Sequence, residues 1–339
     1  MDRIAEINAL GQSLWYDNIE RRMLENGEME EMVRTGKIRG VTSNPSIFQN
    51  AIAKSNDYDS ALKTMAWAGW SAQQIFTRLA VEDIQTAADL FLPLYHETNG
   101  GDGYVSLEVS PTLANDTNGT IAEAHRLWKL VDRPNLMIKI PATRAGIPAI
   151  RACIADGLNI NVTLIFSLTR YEEVMDAYLS GLEQRASAGK AVSGIASVAS
   201  FFVSRVDTKI DKTLRALADN GSEMAASVLG KAAIANARLA YARYLNVFSG
   251  ARFETLRKMG AASQRPLWAS TSTKNPAYRD VLYGEELIGP NTVNTVPPQT
   301  LVAVVDHGEA QVKLGWDVIE DQVVMSQLAD LGINMDLVT

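Results

Sequence analysis

A single cysteine, Cys153, stands in the 339 residues, so no intrachain disulfide can form and no cysteine-based zinc cluster is available. The three histidines, His96, His125 and His307, are scattered without the spacing of metal ligands. Positive charge is also in deficit, since 32 Lys and Arg stand against 39 Asp and Glu for a formal net charge of −7. That balance argues against a nucleic-acid partner, which calls for a basic patch, and leaves room for a local cationic pocket that takes a small anion. No run of about 20 apolar residues suggests a membrane span. The N-terminus lacks a basic segment followed by an apolar one, so no signal peptide is expected, and the expected compartment is the cytoplasm. Cys153, within RACIADGL, reads as a small residue facing the core from a helix.

What is present is an ordinary globular composition, 47% hydrophobic and 21% charged. Eight short apolar or β-branched runs recur: 13–17, 40–45, 104–109, 136–142, 160–166, 195–206, 266–271 and 292–298. Amphipathic segments such as 147–158 and 168–189 lie between most of them. Continuous apolar strands alternating with helices imply a parallel sheet covered on its faces. Eight such units fit a single (β/α)8 barrel spanning 1–339 better than an open sheet. Helical patterns at 56–66 and 71–93 predict an inserted excursion between the second and third strands. The segment 208–260 predicts two packed helices with a break near Asn220–Gly221.

A barrel of this type carries its reactive groups at the carboxyl ends of its strands. Those ends hold Asp17, Asn44, Glu108, Lys139, Thr163, Ser200 with Arg205, and Ser272 with Lys274. Lys139 is the sharpest of these, because it interrupts the apolar run LMIKIPAT, where an ammonium group is costly to bury. Desolvation and neighbouring cations would favour the neutral amine, which attacks a ketone to form a Schiff base. Glu108 then serves as general acid and base with a water held by Thr163, and Asp17 handles the proton of the hydroxyl at the cleaving bond. Asn44 is expected to orient the substrate through its amide. The plainer alternative is a lysine that only pairs with Glu108.

In chain order, TSNPSIF (42–48), VSLEV (105–109), MIKIPAT (137–143), NVTLIFS (161–167) and ASTSTKNP (269–276) resemble the transaldolase family, and the form of the last motif resembles its longer bacterial subgroup. The resemblance implies a barrel with the Schiff-base lysine on the fourth strand, where Lys139 lies. It implies transfer of a dihydroxyacetone unit from sedoheptulose 7-phosphate or fructose 6-phosphate to glyceraldehyde 3-phosphate or erythrose 4-phosphate, in the pentose phosphate pathway. It also implies that no metal and no organic cofactor takes part. Carried over by position, Asn44 and Asn161 bind donor hydroxyls, and Ser200 and Phe202 line the same pocket. Arg205, Ser272 and Lys274 hold the phosphate, with Lys274 standing where many relatives have arginine.

Family members continue past LADLGINMDLVT, so the C-terminal segment is expected to be short. The chain would then be a naturally short form or a domain excised from a fusion with glucose-6-phosphate isomerase. Monomers and homodimers both occur in the family. The neighbouring reading is a fructose-6-phosphate aldolase, whose chains are shorter and carry tyrosine where Phe202 stands here. Two others are a barrel isomerase or epimerase with Glu108 as base, and a non-catalytic sugar-phosphate-binding barrel.

Overall fold

Eight parallel strands close on themselves in sequence order in the computed structural model, which describes residues 2–339. They are β1 (Gln12–Tyr16), β2 (Gly40–Val41), β3 (Tyr104–Glu108), β4 (Leu136–Pro141), β5 (Ile160–Ile165), β6 (Ser197–Phe202), β7 (Arg265–Ala269) and β8 (Thr292–Val296). Each coincides with one of the eight apolar runs. The barrel closes where β8 pairs with β1, from Gln12 opposite Thr292 to Tyr16 opposite Val296. The expected (β/α)8 architecture is therefore the observed one.

Side chains alternate between the two faces of each strand. On β4, Leu136, Ile138 and Ile140 pack outward into the main core beneath the helices, whereas Met137 joins a smaller cluster with Trp15, Tyr104, Val198, Leu267 and Val293 inside the barrel. Lys139 lies two residues beyond Met137 and so shares its inward face. The lysine therefore interrupts the barrel interior rather than the outward row of Leu136, Ile138 and Ile140. The same alternation turns Glu108 and Ser106 inward after Tyr104, Asn161 and Thr163 inward on β5, and Ser200 and Phe202 inward after Val198. The inner face thus runs from apolar at the strand starts to polar at the strand ends.

At the opposite end, the buried Asp102 carboxylate closes the barrel floor. It accepts from Ser13 Oγ at 2.7 Å, Trp15 Nε1 at 3.1 Å and Arg39 Nε at 2.7 Å, and lies 3.3 Å from an Arg265 nitrogen. A buried charge is tolerated when its lone pairs are filled in this way.

The helices differ from expectation in two places. Three helices, Pro45–Lys54, Asp59–Trp67 and Ala72–Glu97, fill the excursion between β2 and β3. The first of them was not anticipated, although Asn44 caps it by accepting from the Ile47 N–H at 3.0 Å and Pro45 supplies its first residue. Between β6 and β7 the two expected helices are four, Ser204–Asp219, Glu223–Val228, Ala232–Phe248 and Ala251–Lys258. The break at Asn220–Gly221 is present. Gly230, at φ +70°, and Gly250 accompany the further interruptions. The run 195–206 likewise splits, with a strand to Phe202 and a helix from Ser204. Cys153 is fully buried on the helix Gly146–Asp156, and burial raises its thiol to about 12. No helix among the described residues is long and apolar enough to cross a membrane.

Candidate active site

The polar strand ends enclose a cavity of about 470 Å³. Its lining includes Asp17, Asn44, Glu108, Lys139, Thr163, Ser200, Phe202, Arg205, Ser272 and Lys274. Ten of the eleven residues expected from the sequence are therefore brought to one site from seven strands or their following loops. Three cations and two carboxylates line it, in a chain whose net charge is −7. The positive balance is local, as an anion-binding pocket in an acidic protein requires.

Lys139 is 7% exposed and sits opposite Glu108 in the β3–β4 register. Its Nζ lies 3.2 Å from Glu108 Oε2 and donates to the Ser43 carbonyl at 3.2 Å. The groups that contact the amine are acceptors rather than the cations expected from the sequence. A carboxylate therefore lies within hydrogen-bond reach of the amine, the geometry that a proton transfer between the two requires.

Thr163 stands one strand further round, and its buried Oγ1 has no hydrogen-bond partner among the described residues. An unpaired buried hydroxyl costs free energy and is placed to receive a ligand or a water. The β5–β6 register shifts between Val162 and Ile165, and Leu164 takes a left-handed φ of +60° within that irregularity. The distortion leaves Leu164 41% exposed on the cavity rim while Thr163 keeps its inward aim. Ser270, at the end of β7, also has a left-handed φ, +56°, and lines the cavity. Strained non-glycine residues concentrate at functional sites, where the surroundings hold them in place.

On the opposite wall, Asp17 follows β1 and accepts from Thr42 Oγ1 at 2.6 Å. Thr42 is hydrogen-bonded in turn to Thr295 Oγ1 at 2.6 Å. Sequence reasoning gave no site residue to the eighth strand, yet Thr295 and, beyond it, Gln299 line the cavity. The signal was present, because TVNTVPP places Thr295 two residues after the inward Val293.

Asn161 differs from the others. It is fully buried under the floor, outside the lining, with its carbonyl accepting from Ser200 Oγ at 2.7 Å and its amide nitrogen donating to Ser106 Oγ at 3.1 Å. Asn44 lines the cavity, but its side-chain oxygen is committed to the helix cap, so that only its amide nitrogen is left for another partner. Phe202 has a role beyond lining, since the Arg205 guanidinium lies over its ring at 4.9 Å. Lys274 Nζ donates to Ser272 Oγ at 2.6 Å, so a cation and a hydroxyl meet in the lining that also holds Arg205.

The profile of the family described as Transaldolase/Fructose-6-phosphate aldolase matches residues 14–339. A transaldolase of Mycolicibacterium smegmatis is 50% identical over 98% of this chain and 89% of its own length. One from Mycobacterium tuberculosis is 48% identical over the same shares, and one from Thermobifida fusca is 53% identical over 90% of this chain and 82% of its own length. With the inward lysine on the fourth strand and a family match through nearly the whole chain, this protein belongs to the transaldolase/fructose-6-phosphate aldolase family.

Proposed function

We propose that the protein is a transaldolase, carrying a dihydroxyacetone unit from sedoheptulose 7-phosphate or fructose 6-phosphate to glyceraldehyde 3-phosphate or erythrose 4-phosphate. The observation that carries this reading is the Lys139–Glu108 contact of 3.2 Å on the wall of a polar, cation-rimmed cavity. Lys139 gives a proton to Glu108 and adds to the ketone carbon, and loss of water with proton return from Glu108 yields the iminium ion. Asp17 takes the proton of the C4 hydroxyl, the C3–C4 bond breaks, and its electron pair passes into the iminium to give an enamine. The departing aldose is replaced by the acceptor, whose aldehyde carbon the enamine attacks, with Asp17 returning the proton. Water held by Thr163 and activated by Glu108 then hydrolyses the imine and frees Lys139.

Around this chemistry, the Asn44 amide nitrogen and Ser200 hydroxyl hold the donor's hydroxyl groups. Asn161 acts through Ser200, whose hydroxyl it fixes from below. Phe202 lines the donor pocket and supports Arg205. Arg205, Ser272 and Lys274 hold the phosphate, with Lys274 as a point charge in place of a bidentate clamp. A cytoplasmic location is part of the same proposal. An isomerase partner draws no support from the relatives named above, of which the matched part makes up 82–89%.

Incubation with fructose 6-phosphate and erythrose 4-phosphate tests the reading. Formation of sedoheptulose 7-phosphate is expected. Release of free dihydroxyacetone as the main reaction would make the protein an aldolase, and absence of both would reduce it to a binding protein.

A further inference from the structure

The helix that begins beside Arg205 buries two carboxylates one turn apart, Asp207 and Asp211, which are 1% and 7% exposed. Each makes the same pair of contacts. Asp207 accepts from the Ala233 N–H at 2.7 Å and from the Tyr283 hydroxyl at 2.9 Å. Asp211 accepts from the Gly230 N–H at 3.1 Å and from the Tyr278 hydroxyl at 2.7 Å. Both tyrosines belong to the segment after β7, and Tyr278 follows Lys274 by four residues. Gly230 completes the arrangement. A Cβ there would stand 2.8 Å from the Tyr278 ring, so the ring lies directly against backbone and its hydroxyl reaches Asp211.

The phosphate-binding residues proposed above divide between these two segments, Arg205 on the helix and Ser272 with Lys274 on the loop. Near the barrel the segments are joined by short bonds, from the Ser204 N–H to the Ser270 carbonyl at 2.9 Å and between the Ser204 and Ser270 hydroxyls at 3.1 Å. Beyond Ser270 the loop has no strand to follow. We propose that the Asp207–Tyr283 and Asp211–Tyr278 bonds are positioning contacts that fix the distance between the guanidinium of Arg205 and the Ser272–Lys274 rim. On this account they determine affinity for the phosphate of the substrate. The inference rests on the reading of Arg205, Ser272 and Lys274 as the phosphate site. Buried carboxylates are costly unless fully bonded, and a tie serving only the 229–233 turn would need the two backbone N–H groups but neither tyrosine.

The test compares Tyr278→Phe and Tyr283→Phe with Lys274→Ala, using fructose 6-phosphate and the unphosphorylated dihydroxyacetone as donors to the same acceptor. Each Tyr→Phe change keeps the ring and removes one bond. We expect KM for fructose 6-phosphate to rise about tenfold with kcat within about twofold, and KM for dihydroxyacetone to stay unchanged. Gly230→Ala, which displaces the Tyr278 ring without removing a hydroxyl, is expected to raise the same KM. If KM rises equally for both donors, or stays fixed in the tyrosine variants while Lys274→Ala raises it for fructose 6-phosphate, the positioning role is overturned and the phosphate site stands. If Lys274→Ala also leaves that KM unchanged, the phosphate assignment itself falls, and this inference with it.

Discussion

Glu108 and Lys139 are register partners on adjacent strands, and their side chains meet at 3.2 Å inside the barrel. Parallel pairing gives register neighbours a common face, so one register fixes both the amine and the carboxylate beside it. The pair's geometry is set by the sheet rather than by a loop, which is the rigid mounting that reactive groups need.

Glu108→Gln keeps the size of the side chain and removes the proton acceptor. The expected result is a fall in kcat of about 10²–10⁴-fold with a small change in KM, the range general acid–base catalysis supplies. Steady-state kinetics on fructose 6-phosphate measure it. A raised KM at normal kcat would make Glu108 a binding group instead.

Thr163→Val should separate stability from activity. The hydroxyl is buried without a partner among the described residues, so its removal relieves a desolvation cost of about 1–3 kcal/mol while the branched shape is kept. Tm is expected to be unchanged or higher, and kcat about 10²-fold lower if this hydroxyl holds the hydrolytic water. A lower Tm with normal kcat would show a structural hydroxyl only.

Asp207 gives the stability of the fold a pH dependence. Burial, opposed by the Ala233 N–H and the Tyr283 hydroxyl and reinforced by Asp211, raises its carboxyl from an ordinary 3.8 to about 7. The folded state therefore binds the proton more tightly than the unfolded chain. The stabilisation is complete below 3.8 and is lost as pH rises through about 7. Relative to Asp207→Asn, the wild type should lose up to about 1.4 kcal/mol per pH unit across that window. Denaturant midpoints of the two proteins between about pH 5 and about pH 8 test this. Parallel curves would contradict it.

The strand ends were legible because each obeys a local rule. A short apolar run marks the strand, alternation assigns its faces, and barrel chemistry sits at the carboxyl end. That rule found Glu108, Lys139 and Thr163, and it would have found Thr295 had β8 been read the same way. It did not separate Asn161 from its neighbours, since inward aim does not say whether a residue reaches the cavity or lies under its floor. Nor did it show that Asn44 divides its amide between a helix cap and the site. The Asp207–Tyr283 and Asp211–Tyr278 bonds span 76 and 67 residues, a separation at which no local pattern carries information. The left-handed Leu164 was equally hidden, because leucine carries no preference for that conformation and only the barrel imposes it.

The most direct measurement is trapping of the imine. Borohydride added with fructose 6-phosphate should reduce the iminium ion and leave the three-carbon unit covalently on Lys139, located by mass spectrometry of the digested protein. The Lys139→Ala protein should carry none. An unmodified Lys139 under conditions where the substrate binds, or an adduct on another lysine, would contradict the account.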